Sequence, residues 1–293
     1  MPDGSDTLAG GAGDDVPWGP DVTGVFVQWA ISPGPVDPAD FVGNTGPVAN
    51  AILPTYDAAG NQVIPAPAPT LGSGAPPDDS GTAMFFVTPG QTDISGGDGD
   101  DFLMGSSFDD VMRGGAGNDL VWGGSAFDNI NGDAGNDTID GGSGGSDWLL
   151  GGQGDDSVTA HHDNNLLLGN LGNDTLSAGD GQDVLRGGEG DDVIVGGAGH
   201  DFISGDLGND TLTGGAGPTL FHGAQSIGLD EVTNFSYAKG DRVELDPGTT
   251  YSVSQVGANT VIDMGDGSRM VLDNVQLSTL HSDWIFEGSV THV

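Results

Sequence analysis

Aspartate recurs at a nine-residue interval through the middle of this 293-residue chain. Between Gly96 and Thr213 the chain divides into thirteen units, twelve of nine residues and one of ten. If the extra residue is looped out, the sixth position is aspartate in twelve units, at Asp101, Asp110, Asp119, Asp128, Asp137, Asp147, Asp156, Asp174, Asp183, Asp192, Asp201 and Asp210. Asn165 is the exception. Carboxylates are ligands that hard cations such as calcium prefer, so the spacing predicts a series of cation sites.

The charge of the chain also points to a cation partner. The sequence has 44 acidic residues, 40 of them aspartate, against 5 basic ones, and a formal charge of -39. Such a chain repels itself unless bound cations cancel the charge. Nucleic acid and membrane insertion are excluded as partners, because the clusters of Lys and Arg and the long apolar segments that they require are missing. Cysteine is absent, which excludes disulfides and thiol chemistry.

A second periodic position indicates how the aspartates are held. The eighth residue of every unit is apolar, at Leu103, Met112, Val121, Ile130, Ile139, Leu149, Val158, Leu167, Leu176, Leu185, Ile194, Ile203 and Leu212. Three residues around this position can form a short strand with one inward side chain. The glycine-rich six before it can adopt the positive φ angles of a tight turn. Each unit is therefore predicted to be one loop and one strand.

The units resemble the RTX nonapeptide repeat, whose pattern is G-G-x-G-x-D-x-U-x, where U is a large apolar residue. The resemblance implies an all-β fold, a parallel β-roll or calcium-stapled β-solenoid, in which two units make one turn. Units n and n+2 then stack on the same side and hold Ca²⁺ between their loops. The ligands implied are the sixth-position carboxylates of both loops and alternate backbone carbonyl oxygens, which supply the six or so oxygens that calcium prefers.

Odd-numbered and even-numbered units place their loops on opposite sides, which we call the odd side and the even side. All seven odd-side loops have glycine at position four and aspartate at position six, so about six calcium sites are predicted there. Their implied ligands are the carboxylates of Asp101, Asp119, Asp137, Asp156, Asp174, Asp192 and Asp210. The implied carbonyl donors are Gly97, Gly99, Gly114, Gly115, Ala116, Gly117, Gly132, Asp133, Ala134, Gly135, Gly151, Gly152, Gln153, Gly154, Gly169, Leu171, Gly172, Gly187, Gly188, Glu189, Gly190, Gly205 and Leu207.

The even side departs from the pattern in its first four loops, GSSFDD, GGSAFD, GGSGGSD and AHHDNN. One or two late sites are predicted there, with Asp183, Asp201, Gly179, Gly181, Gly196 and Ala198 as ligands. Drift in a tolerant repeat is one explanation of the altered loops, and cover by a partner is another. The outward positions Trp148, Leu150, Leu166 and Leu168 on adjacent strands predict an apolar patch of the kind that a packing partner covers.

The flanks suggest four parts: partial RTX repeats over 1–16, a Pro-rich β insert over 17–91, the β-roll over 92–217 and a C-terminal β cap over 218–293. The insert holds 13 of the 16 prolines, with strand-like runs at Val22–Ile31 and Thr82–Thr88. We expect it to cover the altered even-side loops. The runs RVEL, YSVSQV, NTVIDM, RMVL and DWIF predict strands, and DMGDGSRM predicts a hairpin. The tail resembles the segment that carries an uncleaved type I secretion signal in RTX proteins.

No motif for catalysis is convincing. The zinc-protease helix, the phosphate loop and the nucleotide-binding turn are missing. Gly141–Gly145 spells G-x-S-x-G, but within a repeat loop rather than between a strand and a helix. His161, His162 and Asp163 form a weak candidate for a transition-metal site. We therefore expect a protein that is not an enzyme.

These features predict a secreted or cell-surface calcium-binding protein that folds on calcium. The acidic start, 1–15, lacks the basic and apolar segments of a signal peptide, so type I secretion is the expected route. The first hypothesis for its role is a structural or self-assembling surface or matrix component. The alternative is a non-catalytic recognition and secretion module that acts with a secreted enzyme or binds a glycan.

Overall fold

The computed structural model describes residues 5–9, 55–56, 62–63, 84–86, 91–225 and 228–288. The described residues form strands and contain no α-helix. No helix among them is long and apolar enough to cross a membrane. One short 3-10 helix spans Leu277–Thr279. The strands are β1 (Ser5–Ala9), β2 (Thr55–Tyr56), β3 (Gln62–Val63), β4 (Met84–Phe86), β5 (Gln91–Asp98), β6 (Phe102–Met104), β7 (Asp110–Ala116), β8 (Leu120–Trp122), β9 (Asp128–Ala134), β10 (Thr138–Asp140), β11 (Trp148–Gln153), β12 (Ser157–Thr159), β13 (Leu166–Leu171), β14 (Thr175–Gly179), β15 (Val184–Glu189), β16 (Val193–Gly197), β17 (Asp201–Leu207), β18 (Thr211–Gly215), β19 (Thr219–Gly223), β20 (Leu229–Val232), β21 (Arg242–Leu245), β22 (Ser252–Val256), β23 (Asn259–Asp263), β24 (Arg269–Leu272) and β25 (Ile285–Glu287).

The chain winds as a parallel β-roll with two facing sheets. One sheet has eleven strands in the order β1-β5-β7-β9-β11-β13-β15-β17-β19-β21-β25. The other has twelve, in the order β22-β23-β24-β20-β18-β16-β14-β12-β10-β8-β6-β4. Consecutive repeat units alternate between the sheets, so each strand pairs with the strand two units away, as in Leu167 with Leu185. This confirms the predicted fold class.

The core is a single apolar layer between the two sheets. All thirteen eighth-position side chains are buried, with exposures of 0–1%. Ile94 and Phe221 extend the same layer by one position at each end, so the roll continues beyond the thirteen units recognised in the sequence. The predicted single inward side chain per unit is confirmed.

Both ends of the roll are extended by strands from the flanks. At the N-terminal end, β1 pairs with β5 and β4 pairs with β6, both in parallel. The predicted strand within Thr82–Thr88 is thus present as β4. The predicted strand Val22–Ile31, and the placement of the insert over the even side, lie outside the described residues. The division into four parts stays a prediction.

The C-terminal strands confirm the five strand-like runs. Two of them continue the roll, since β21 pairs with β19 and β25 pairs with β21 in parallel. The antiparallel strands β22, β23 and β24 complete the other sheet through β20. The predicted hairpin joins β23 to β24, but its connection runs from Met264 to Ser268, closed by a 3.0 Å hydrogen bond from Met264 N–H to the Ser268 carbonyl. The connection is therefore longer than a two-residue turn.

Candidate calcium sites

The odd-side aspartates form one continuous buried ladder. Their side chains have exposures of 1–3%. From Asp119 to Asp210, the Oδ1 atom of each aspartate accepts a hydrogen bond of 2.7–2.8 Å from the backbone N–H of the sixth-position residue one turn earlier, beginning with the N–H of Asp101. The repeat spacing thus places every odd-side carboxylate between two stacked loops, where the sequence predicted it.

The second carboxylate oxygen of this ladder is left without a donor. Among the described residues, Oδ2 has no hydrogen-bond partner in Asp119, Asp137, Asp156, Asp174, Asp192 and Asp210. This oxygen lies over the first glycine of its own loop, and at Gly114, Gly132, Gly169 and Gly187 a carbonyl oxygen of the next loop lies close to the same glycine. At Gly114, for example, an added Cβ would collide with Oδ2 of Asp119 and would lie 2.6 Å from the Gly132 carbonyl oxygen. A buried carboxylate oxygen without a donor is costly, and a cation removes that cost.

Backbone carbonyl oxygens converge on the same inter-loop spaces. The carbonyls of positions two and four point at the next loop, since an added Cβ at Gly115 would collide with the Gly97 oxygen and one at Gly117 with the Gly99 oxygen. The position-three carbonyl oxygens point toward the preceding loop. They accept hydrogen bonds of 2.6–2.8 Å from the position-four N–H of that loop, at Ala116, Ala134, Gln153, Leu171, Glu189 and Leu207. Carboxylates with carbonyls are the donor set that suits Ca²⁺, so these residues fit the ion.

Burial raises the pKa of the odd-side carboxyl groups. The pKa of Asp119 is raised to about 8, and those of Asp156 and Asp192 to about 7. Loss of solvation is the largest cause, and repulsion from neighbouring aspartates on the ladder adds to it. A positive charge between the loops would lower the pKa values of these carboxyl groups again. Within the described residues no three acidic or histidine side chains converge, so any site here depends on backbone carbonyls.

The even side keeps the sixth-position ladder although its first four loops have lost the glycine pattern. Hydrogen bonds of 2.7–3.3 Å link Asp110, Asp128, Asp147, Asn165, Asp183 and Asp201 in sequence. The ten-residue unit joins the ladder through Asp147, as predicted, with its extra residue absorbed at the positive-φ pair Gly144 and Gly145. Oδ2 has no partner among the described residues in Asp128, Asp183 and Asp201.

Asn165 replaces one carboxylate by an amide that satisfies its own loop. Its Nδ2 donates to the carbonyl oxygens of His162 at 2.8 Å and Asp163 at 3.2 Å, and to Oδ1 of Asp183 at 3.1 Å. The Asn165 amide group thus contacts loop carbonyl oxygens and a carboxylate oxygen, which are the kinds of group that a cation would contact. The altered loop therefore has an internal substitute for the ion.

The other residues singled out on the even side do not form a site. His161 pairs with Asp140 at 3.0 Å and His162 with Asp180 at 3.5 Å, two separate exposed pairs that do not converge with Asp163. The segment 141–145 lies in the loop between β10 and β11, away from any helix. The outward apolar residues do meet: Trp148 pairs with Leu166, Leu150 with Leu168, and the Phe127 ring packs edge-on against Trp148 at 5.8 Å.

A second ladder on the odd side was missed in the sequence. The fifth-position side chains Asp100, Asn118, Asn136, Asp155, Asn173, Asp191 and Asn209 accept hydrogen bonds of 2.7–3.2 Å from the backbone N–H of the next loop. The signal was present, because position five is Asp or Asn in every odd-side loop and varies on the even side. These exposed side chains hold the loops in register beside the buried carboxylates.

Comparisons with known proteins agree with the repeat. The family described as RTX calcium-binding nonapeptide repeat (4 copies) matches residues 3–16, 95–128, 117–145, 142–176, 168–203 and 186–218. Among solved structures, the chain is similar to the extracellular lipase LipA from Serratia marcescens at 17% identity, with a TM-score of 0.28, over 70% of this chain and 42% of that one. The chain thus spans less than half of that lipase. A search of curated proteins found no match.

Proposed function

We propose, from the premise that this chain carries the calcium-binding nonapeptide repeats of the RTX family, that it is a secreted protein whose roll folds outside the cell when its buried carboxylates bind Ca²⁺. The observation that carries this proposal is the odd-side ladder, in which each carboxylate from Asp119 to Asp210 has Oδ1 in a hydrogen bond and Oδ2 buried without a donor among the described residues. Bound calcium supplies positive charge and oxygen coordination there.

The chain's own residues account for a switch between unfolded and folded states. At a formal charge of -39, the unfolded chain keeps its aspartates apart and solvated. The folded chain buries them in stacked loops at the cost of their solvation. Extracellular calcium sites have affinities of about 0.1 to 1 mM, so they are empty in the cytosol and filled outside. At tenfold excess over Kd each site adds about 1.4 kcal/mol, so six add about 8 kcal/mol, comparable to the stability of a domain.

The test of the binding sites is a count of ions. Equilibrium dialysis at millimolar calcium should give at least six bound ions per chain for the odd side, and one or two more for the late even-side loops. The absence of calcium binding at this concentration would contradict the proposal. A count well below six would contradict the assignment of one ion to each odd-side inter-loop space.

For the biological role, we propose a structural surface or matrix component that associates with other copies. An outward apolar stripe on the eleven-stranded sheet supports this role. It runs through five rungs, Trp148, Leu166, Val184, Phe202 and Leu220, and Trp148 is 51% exposed. Contiguous apolar surface of this kind favours a partner.

Light scattering after calcium addition tests that role. Association that begins at the calcium concentration at which the roll folds, and that is weakened by Trp148→Ser, would support it. The exposed Val193→Ser on the opposite sheet is the matched control. A chain that stays monomeric and binds a glycan would contradict it and would favour the alternative, a recognition and secretion module.

A further inference from the structure

The last repeat loops and the C-terminal cap meet at two junctions, one on each side of the roll. On the even side, the loop Gly214–Thr219 stacks against Asp241, because Thr219 N–H donates to Asp241 Oδ1 at 3.0 Å. On the odd side, the loop Gly205–Asp210 stacks against Asp230, because Asp210 N–H donates to Asp230 Oδ1 at 3.3 Å. Asp230 and Asp241 therefore continue the two sixth-position ladders into the cap, although neither lies in a GGxGxD loop.

The even-side junction holds a cation that belongs to the chain. The Lys239 ammonium lies 3.2 Å from Oδ2 of Asp241 and donates to the Gly215 carbonyl oxygen at 2.7 Å. Asp241 is fully buried. A positive group thus sits between a ladder carboxylate and a second-position loop carbonyl. This arrangement shows within the same molecule that a junction of this construction accepts a cation.

The odd-side junction has matching acceptors and no basic group. Asp230 is fully buried, and its Oδ2 and that of Asp210 have no hydrogen-bond partner among the described residues. The Gly208 carbonyl oxygen points into this junction, since an added Cβ at Gly228 would collide with it. All five basic side chains of the chain pair with other carboxylates, at Asp133, Asp206, Asp241, Asp263 and Asp283.

We propose that the odd-side junction is a further divalent cation site, held by Asp210 and Asp230 with the Gly208 carbonyl, that fastens the cap to the roll. Carboxylate and carbonyl oxygens select a hard cation, and Ca²⁺ is the ion that the adjacent loops are built to take. The inference rests on the proposed function but adds a seventh odd-side site to the six between repeat loops. The cap is then held by an exogenous ion on one side and by Lys239 on the other.

The variant Asp230→Asn tests this site, with Asp241→Asn as its matched control. Asn165 shows that an amide is tolerated at a ladder position and satisfies the neighbouring acceptors, so the fold should persist. Equilibrium dialysis should give one bound calcium fewer for Asp230→Asn than for the unaltered chain. Asp241→Asn should bind the unaltered number, because its partner is Lys239. In saturating calcium, hydrogen exchange of β20 should be faster in Asp230→Asn than in the unaltered chain, and unchanged in Asp241→Asn.

An unchanged ion count in Asp230→Asn would overturn the site. A second variant, Asp210→Asn, covers the case in which Asp230→Asn does not fold. Asp210 borders both the junction and the preceding inter-loop space, so Asp210→Asn should lose two ions. The loss of only one ion would also overturn the proposal. If the unaltered chain binds no calcium at all, the proposed function fails, which is a different outcome from a count that Asp230→Asn leaves unchanged.

Discussion

Each odd-side ladder aspartate from Asp119 to Asp210 uses its two carboxylate oxygens differently. Oδ1 orders the stack through a backbone hydrogen bond, and an asparagine can do the same, as Asn165 does for Asp147 at 2.9 Å. Oδ2 faces glycine and carbonyl groups that donate nothing to it. The stacking role and the cation role of one residue can therefore be separated by exchanging Asp for Asn.

Asp156→Asn and Asp147→Asn form a matched pair from the two sides of the roll. Both residues are buried and each accepts a hydrogen bond from the preceding turn. Asp156 borders two predicted odd-side sites, so its exchange should cost roughly 1.4 to 3 kcal/mol of unfolding free energy at tenfold excess of calcium. Asp147→Asn should change the calcium-dependent part of the unfolding free energy little, because Asp147 faces Asn165. Urea unfolding at a low and at a saturating calcium concentration measures both, and equal losses would contradict the assignment of sites to sides.

The raised pKa values predict how the calcium-free chain responds to pH. Folding raises the pKa of Asp119 to about 8, Asp156 to about 7 and Asp174 to about 6, above the unfolded value near 4. The folded state therefore binds more protons, and its stability is greatest below about pH 4 and is lost as the pH rises through 6 to 8. The β content of calcium-stripped protein, followed by far-UV circular dichroism, should fall from pH 5 to pH 8. A β content that rises over this range would mean that the carboxylates are not desolvated as described.

The identities of the ladder residues could be predicted from spacing, but the state of each oxygen could not. The partners of Asp119 lie eighteen residues away on both sides, and their geometry exists only in the stacked roll. Lys239 is a similar case. Nothing in its local sequence signals a cation substitute, since its contacts with Gly215 and Asp241 arise from the way the cap folds back.

At the scale of the loop and strand, glycine has two separate roles. Positions two and four of the regular loops have positive φ, for example 122° at Gly115 and 137° at Gly117. The sequence predicted this. The first glycine, such as Gly187, is not among the residues with positive φ and is required instead because the ladder carboxylate lies against its Cα. This second role follows from packing and was not visible in the pattern.

Gly187→Ala and Gly196→Ala test that role on opposite sides of the roll. An added Cβ at Gly187 would collide with Oδ2 of Asp192, whereas at Gly196 the oxygen of Asp201 would be 2.7 Å away. The even side already has alanine at this position in Ala160 and Ala178. Gly187→Ala should therefore lower the unfolding free energy by about 2 kcal/mol or more, the usual cost of overpacking, and Gly196→Ala by less. Thermal unfolding in calcium compares the two, and equal shifts would count against the asymmetry.

At the scale of the whole molecule, the roll combines a thin core with a large negative charge. One apolar side chain per unit is buried, beside one buried carboxylate per unit in almost every case. The periodic pattern predicted this architecture, because two positions in nine fix the inward face. The extra rungs at Ile94 and Phe221 escaped prediction, since threonine replaces the sixth-position aspartate at Thr92 and Thr219 while the inward residue is kept.

The most direct test of the account is far-UV circular dichroism of the whole chain in chelator and in millimolar calcium near pH 7.5. We expect a largely unfolded spectrum in chelator and a β spectrum in calcium, with magnesium at equal concentration as the control for ionic strength. The change should reverse when chelator is added again. An equal β content in chelator and in calcium would contradict the central claim that the folded roll depends on cations between its loops.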